Sequence, residues 1–365
     1  MKFKTACLAA SLAAAGLATA GIANAQSSVT LYGILDVNLE VHNNAPDGNG
    51  GSKTVSGMRS GGRNGNRWGL RGSEDLGNGL KAVFQLESGF NISSGRPSDS
   101  TRLFNRTAMV GLAGTWGQLS FGRQYTPGFN FQAPYFPNQA GAQYEPIGRT
   151  MPVRADNSIV YAGKFGGVDL GAYYAFREFS DQQNFDADVT GAWGVAAGYR
   201  FGGVRVSGGY DRLEEPANPA AVGGEGHNAF IGARWDVNKF RVVGNVRWRS
   251  LEDVGVGGAD LDSIMYQVGL GYQVTPALMV QAAYYLEDFD DAPAGYLGTT
   301  DDKWHQFAFL ASYNLSKRTS LYATVAHARK GPINLGSSND GGTPYALGPG
   351  KSSQTGGAIG LRHLF

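Results

Sequence analysis

Apolar and polar residues alternate along most of this chain. In residues 29–42 the odd positions are apolar or glycine and most even positions are polar or charged, with Tyr32 and Ile34 as exceptions. The same alternation recurs in residues 240–249 and 263–275. A period of two sustained over about ten residues predicts β-strands that separate an apolar phase from a polar one.

The connections between these strands alternate in length. Short connections made of turn-forming residues lie at 75–79, 114–117, 164–167, 202–203, 238–239, 276–277 and 316–319. Long polar connections lie between them, for example at 43–66, 126–155, 214–226, 288–302 and 331–353. Counting strands between these markers gives about sixteen, joined as hairpins in one domain over residues 26–365.

The strand length favours a membrane barrel over a soluble sandwich. Strands of soluble proteins usually run about five or six residues, whereas about ten suit a tilted crossing of a bilayer. Because backbone amides cannot stay without partners in lipid, such a sheet must close on itself. We therefore expect an all-β fold, a transmembrane antiparallel β-barrel of about 16 strands with short periplasmic turns and long extracellular loops.

The polar face of the strands predicts an aqueous lumen. Charges at this density cannot be buried dry without a large cost, and about sixteen strands enclose enough space to hydrate them. The residues expected on the lumen wall include Asp36, Arg71, Lys81, Arg241, Arg247 and Arg249. The two exceptions in the first strand, Tyr32 and Ile34, are expected near the seam where residues 356–365 close the barrel.

The first 25 residues have the pattern of a cleaved signal peptide. Lys2 and Lys4 precede an Ala-rich run that ends in Ala-Asn-Ala at residues 23–25. Removal of this segment takes away Cys7, the one cysteine of the chain, so neither disulfides nor thiolate-bound metals are expected. It also changes the formal net charge from +1 to −1, and this balance argues against nucleic-acid binding.

Four stretches make the chain similar to the trimeric general porins of Gram-negative outer membranes. They are VTLYGILDV from residue 29, NRWGLRGSEDLGNG from residue 66, FNRTAMVGLAGTWGQLSFGRQY from residue 104, and the terminal GLRHLF. The resemblance implies a homotrimer whose third long loop, here about residues 126–155, folds into the lumen. It also implies that Phe365 is a signal read by the outer-membrane assembly machinery.

The resemblance further implies a constriction in which this loop faces a row of arginines, here Arg67, Arg106 and Arg154. Alternation supports an inward side chain for Arg67. In the stretch after Arg106, odd and even positions are both apolar, so the inward placement of Arg106 rests on the resemblance. The charged residues of the loop and its edge are Glu145, Arg149 and Asp156. Family constrictions set two or more loop carboxylates against the arginines, so the basic excess here predicts a weak preference for anions. The alternative is that Arg149 pairs with Glu145 and only holds the loop's shape.

The expected function is passive diffusion of small hydrophilic solutes and ions across the outer membrane. An arginine-lined lumen also suits a substrate-specific anion channel of the phosphate or dicarboxylate type, which would saturate at low solute concentration. A structural adhesin, a third alternative, would conduct no ions. Outer-membrane lipid and lipopolysaccharide are the expected surroundings of such a protein.

Catalytic chemistry is not expected. The five histidines are scattered, and neither HExxH nor GxSxG occurs in the chain. No cofactor is expected. Five aspartates between residues 288 and 302 allow a divalent-cation site, although such a run is more often a solvated acidic loop.

Overall fold

The computed structural model describes residues 28–138, 143–146, 152–176, 191–214, 225–254, 259–291, 299, 301–336 and 345–365. The predicted signal peptide and Arg149 lie outside these described residues. The strands within them are β1 (Ser28–Pro46), β2 (Ser52–Ser60), β3 (Arg67–Gly77), β4 (Leu80–Gly89), β5 (Thr107–Gly114), β6 (Gly117–Tyr125), β7 (Arg154–Phe165), β8 (Val168–Ala175), β9 (Trp193–Phe201), β10 (Val204–Glu214), β11 (Glu225–Val237), β12 (Phe240–Val254), β13 (Ala259–Gln273), β14 (Leu278–Asp291), β15 (Lys303–Asn314), β16 (Thr319–Arg329) and β17 (Ser353–Leu364).

The strands form one closed antiparallel sheet. From β3 onward each strand pairs with its successor, and β17 pairs with β1 in a register that sets Ile34 opposite Leu364 and His42 opposite Gly356. On its other side β1 pairs with both β2 and β3, so these two strands together make one strand of the wall. The barrel therefore has 16 wall strands, which confirms the predicted architecture.

The predicted long connection 43–66 is wrong. β1 continues to Pro46 and β2 begins at Ser52, so the connection between them is only residues 47–51. Residues 61–66 then leave the sheet and return to it at β3, which makes them a protrusion within one wall strand. Gly and Asn make up much of this region, and both have low strand propensity, so local propensity does not indicate β2. The strand forms because it pairs with β1.

Alternate side chains face opposite sides of the wall, as the period of two predicts. In β12, Val242 and Trp248 are exposed on the outside, whereas Asn245 and Arg247 are buried on the inside. The polar face of β1 is buried in the same way, at Asp36, Asn38, Glu40 and His42. The outer surface of the barrel is therefore apolar along the strands, which suits a hydrocarbon surrounding.

The short turns confirm the predicted hairpins. All seven predicted short connections join consecutive strands, from the turn between β3 and β4 to the turn between β15 and β16. Asn78 and Asn238 have left-handed backbones with φ of 52° at both residues. Asn tolerates this conformation better than other residues with a side chain, which explains its place in such tight turns.

The connection between β6 and β7 turns into the barrel. It contains a short helix, α1 (Pro127–Gln132), and a 3-10 turn at Ala133–Tyr135. Side chains of distant wall strands donate to its carbonyl groups: Ser207 to Phe131 at 3.0 Å, Gln281 to Pro137 at 2.8 Å and Gln306 to Tyr144 at 2.8 Å. The described part of this third loop thus extends across the lumen from β10 to β15. No helix in the described ranges is long and apolar enough to cross a membrane.

The connection between β16 and β17 also folds inward. Its described segment Ile333–Gly336 contains Asn334, which donates to the carbonyl of Gln143 on the third loop at 2.6 Å. An apolar cluster surrounds this contact and includes Tyr144, Leu261, Met265, Tyr285, Trp304, Ile333 and Leu335. Protein rather than water therefore fills part of the barrel near its long loops.

Candidate functional site

Arg67, Arg106 and Arg154 converge on one tyrosine and one glutamate. The Tyr125 hydroxyl accepts hydrogen bonds from Nη2 of Arg106 at 3.0 Å and Nη2 of Arg154 at 2.6 Å, and the Arg154 guanidinium lies 4.2 Å from the centre of the Tyr125 ring. Glu87 accepts from Nε of Arg106 at 2.8 Å, and its carboxylate lies 3.8 Å from Nη1 of Arg67. We call these five residues the eyelet cluster; in it, three cationic groups face one carboxylate.

Strand pairing brings the eyelet cluster together. Arg67 begins β3, Arg106 immediately precedes β5 and Arg154 begins β7, while Glu87 and Tyr125 lie near the ends of β4 and β6. Antiparallel neighbours alternate in direction, so the starts of three strands and the ends of the two between them meet at one height. The register confirms the contact, since Glu87 is opposite Thr107 and Tyr125 is opposite Arg154.

Tyr32 also reaches this cluster. Its hydroxyl donates to Glu87 at 2.9 Å and accepts from Gln85 at 2.6 Å, and the Arg71 guanidinium lies 5.1 Å from the centre of its ring. The expectation that Tyr32 packs at the closing seam is therefore wrong, although Ile34 does lie there. The reason is that β1 pairs with β3 at the height of Tyr32.

Asp156 lies in β7 rather than on the constriction loop. Its carboxylate accepts hydrogen bonds from Arg102, at 3.0 Å, and from Arg123. It therefore pairs with Arg123 of β6 and with Arg102 of the connection between β4 and β5, and does not stand opposite the eyelet cluster on the loop.

Glu145 faces the far wall of the barrel. Its carboxylate accepts from the Tyr285 hydroxyl of β14 at 2.7 Å and is 1% exposed. The adjacent Tyr144 donates to Glu40 of β1 at 3.2 Å, and Tyr345 donates to the same carboxylate at 2.7 Å. Burial, together with the charge of Glu40, raises the pKa of Tyr144 and Tyr345 above the usual range, so both remain donors. The loop carboxylate thus fastens the loop to the wall.

The protrusion 61–66 is held by Asp36. The side chain of this fully buried residue accepts the backbone N–H groups of Arg63 at 3.0 Å and Asn64 at 2.7 Å, and the Tyr322 hydroxyl at 2.6 Å. Asn66 exchanges two hydrogen bonds with the backbone of Asp36 in place of a strand neighbour. Asp36 is therefore not a hydrated wall charge but the anchor of a projection into the lumen.

The protrusion carries further positive charge into the lumen. The Arg63 guanidinium donates to Ser312 of β15, and Arg362 of β17 donates to Asn64 at 2.7 Å. Sequence reasoning missed Arg63 and Tyr125. No alternation in residues 52–66 marks the protrusion, so the sequence offered no local signal for Arg63. No local signal marks Tyr125 either, because its role depends on which side chains surround it.

The other predicted wall residues differ in their surroundings. Four are exposed or partly exposed: Arg71, Lys81, Arg241 and Arg249. Arg247 instead donates to Glu287 at 2.7 Å, and both side chains are fully buried. The expected hydration of the wall charges therefore fails at Arg247, because the inward-folded loops fill this part of the barrel and the glutamate supplies the counter-charge.

The carboxy-terminal Phe365 lies at the closing seam. It exchanges two backbone hydrogen bonds with Gly33 of β1, each 3.1 Å long. A Cβ atom added at Gly33 would lie 2.3 Å from the Phe365 ring, so the ring packs directly on the backbone of β1. The terminal residue thus extends the pairing of β17 with β1.

The acidic region between β14 and β15 forms ion pairs. Asp288 lies 3.1 Å from the Lys303 ammonium, and Asp301 lies 2.7 Å from that of Lys330. Within the described part of the chain, no group of three or more His, Cys, Asp or Glu side chains could hold a metal ion. The lysine partners of Asp288 and Asp301 support the solvated interpretation of this region.

Comparison with known proteins gives consistent matches. The family model described as Gram-negative porin matches residues 9–331. An outer membrane porin protein of Bordetella pertussis is 31% identical over 393 residues, covering 93% of this chain and 95% of that protein. Outer membrane porin protein 32 of Delftia acidovorans is 32% identical over 361 residues with the same coverage. The solved anion-selective porin from Comamonas acidovorans superposes with a TM-score of 0.76 at 28% identity, covering 93% of this chain and 100% of that one.

Proposed function

Since the chain belongs to the Gram-negative porin family and forms an outer-membrane pore for passive diffusion of small solutes, we propose that its constriction weakly prefers anions. The observation that carries this proposal is the charge of the eyelet cluster. Arg67 and Arg106 contact the Glu87 carboxylate there, and Arg154 donates to the Tyr125 hydroxyl beside them. Such a local excess of cationic groups raises the concentration of anions even though the whole chain is nearly neutral.

The position of the loop carboxylate supports the same proposal. Glu145 is buried against Tyr285, so it does not set a negative charge across the lumen from the arginines. The protrusion contributes Arg63, and Arg362 donates to the neighbouring Asn64, while Asp36, which holds the protrusion, is buried. A structurally similar relative from Comamonas acidovorans is described as anion-selective.

The proposal is tested by the zero-current potential of the reconstituted protein in a tenfold KCl gradient. The wild type should show the sign of chloride preference, and Arg154→Gln should reduce it, because this change removes one charge of the eyelet cluster. Arg318→Gln, an equal charge change at an exposed turn, should leave the potential unchanged. A potential of the potassium-preferring sign in the wild type would overturn the proposal.

We also propose the assembly properties that the resemblance implies: a homotrimer surrounded by outer-membrane lipid and lipopolysaccharide, a cleaved signal at residues 1–25, and Phe365 as the signal for the assembly machinery. An apolar groove on the outer wall, lined by Leu39, Met58, Leu321 and Ile359 across the closing seam, supports a subunit contact there. Intact mass of the purified protein tests the cleavage site, and gel mobility with and without heating tests the trimer.

A further inference from the structure

An aromatic pair adjoins the eyelet cluster on the loop side. The ring of Phe129 is stacked on that of Tyr125, with centroids 5.4 Å apart and planes within 12° of each other. Phe129 remains partly exposed, although it belongs to a loop inside a polar barrel. Through Tyr125, this partly exposed phenyl group adjoins the arginines of the eyelet cluster.

Two contacts fix the position of Phe129. The backbone N–H of Phe129 donates to Oγ1 of Thr126 at 3.2 Å, which caps α1. The Phe129 ring also contacts the ring of the buried Phe136, with a centroid distance of 6.0 Å. The neighbouring Phe131 of the same helix points elsewhere, into the cluster of Tyr135 and Phe230. The helix therefore presents one ring to the eyelet cluster and packs the other against the wall.

The arginines and the aromatic pair together form one surface with a cationic part and an apolar part. The guanidinium groups of Arg106 and Arg154, both held by the Tyr125 hydroxyl, attract and orient a carboxylate. The Arg154 guanidinium and the Phe129 ring cover the two faces of Tyr125, so the apolar surface beside the arginines is the partly exposed ring of Phe129. Planar rings gain from offset or edge contacts with such a ring, and saturated rings of the same size lack this gain.

We propose that the eyelet binds aromatic carboxylates in preference to aliphatic carboxylates of equal charge and similar size, with Phe129 as the residue that determines this specificity. This inference rests on the proposed anion preference and adds a solute class to it. A solute whose ring packs on the exposed part of Phe129 and whose carboxylate is drawn to the arginines would use both the apolar and the cationic part of this surface.

The test compares block of the chloride current by benzoate and by cyclohexanecarboxylate in the reconstituted wild-type protein. Benzoate should block at about two- to tenfold lower concentration, the range that an aromatic contact contributes. Equal block by the two acids would overturn the inference. If the proposed anion preference were wrong, the zero-current potential in KCl would have the sign of potassium preference. Failure of the anion preference and failure of the aromatic preference are therefore distinguishable.

Variants locate the preference. Phe129→Leu keeps apolar volume without the ring and should bring the two blocking concentrations together. Phe131→Leu, on the same helix but packed against the wall, should keep the wild-type ratio. Phe129→Tyr keeps a ring and should also retain the ratio. A wild-type ratio in Phe129→Leu, or its loss in Phe129→Tyr, would contradict the assignment.

Discussion

Replacing Glu87 by Gln should increase the preference of the pore for anions. The side chain keeps its size and one oxygen acceptor, but its charge is lost. Glu87 is 4% exposed and contacts Arg106 at 2.8 Å and Arg67 at 3.8 Å, so its charge acts on the lumen mainly by offsetting theirs. After the change, the three arginines of the eyelet cluster would stand without this counter-charge.

The size of the effect follows from Coulomb's law. Two unit charges about 4 Å apart interact by about 1 kcal/mol in water, which changes a local ion concentration by about a factor of five. A permeating ion stays farther than about 4 Å from the nearly buried Glu87, while the lower dielectric near the wall strengthens the interaction, so we take this factor as the order of magnitude for each ion. Loss of the Glu87 charge raises the local concentration of anions and lowers that of cations, so both changes increase the ratio of anion to cation permeability.

The assay is the zero-current potential of wild type and Glu87→Gln in KCl gradients at about 0.1 M and about 1 M mean salt. The shift should favour chloride and should shrink at high salt, where the screening length falls from about 10 Å to about 3 Å. Glu74→Gln, an exposed position at the far end of the same hairpin, removes an equal charge and should produce little shift.

The structural cost of the change should be moderate. A hydrogen bond to a charged group contributes about 1.5–3 kcal/mol and a neutral one about 0.5–1.5 kcal/mol, so we expect a loss of about 2–3 kcal/mol for the two hydrogen bonds that Glu87 accepts, from Arg106 and Tyr32. Heat-resistant mobility of the folded protein should therefore persist. A folded Glu87→Gln protein whose potential is unchanged, or shifts towards potassium, would refute the role assigned to the eyelet cluster.

Three further changes test the protrusion, the third loop and the closing seam. Asp36→Ala removes the acceptor of three hydrogen bonds, worth about 1.5–3 kcal/mol each, and should raise single-channel conductance as the protrusion loosens; an unaltered conductance would contradict its anchoring role. Gly232→Val places a Cβ 2.5 Å from a tyrosine ring of the third loop and should increase current noise, whereas Gly244→Val, which meets no atom within 4 Å, should not. Deletion of Phe365 removes two hydrogen bonds to Gly33 and should lower the fraction of assembled protein, measured by heat-modifiable gel mobility.

Much of the wall was predictable because strand patterning is local. The alternation in β12 already separates Val242 and Trp248 from Asn245 and Arg247, and the structure places the two sets on opposite faces. The short turns were predictable for a similar reason, since Gly and Asn supply the backbone conformations that tight hairpins need.

The interior was less predictable because its contacts join residues far apart in the chain. The alternation of polar and apolar residues predicted that Asp36 and Arg247 point inward. It did not indicate that a protrusion covers Asp36 or that Glu287 pairs with Arg247. Glu145 was expected to face the arginines, yet the path of the third loop sets it against Tyr285 on the far wall. These outcomes depend on how two loops share the lumen.

The amino-acid sequence by itself determined the closed barrel, its hairpins and the polarity of its two faces, because a period of two expresses a physical boundary that every strand meets. Tertiary structure alone decided where the charges act. Arg67, Arg106 and Arg154 lie at the starts of three strands and meet at the Tyr125 hydroxyl and Glu87 only because antiparallel pairing sets those strand ends at one height. Electrostatic character depends on such distances, and no local pattern records them.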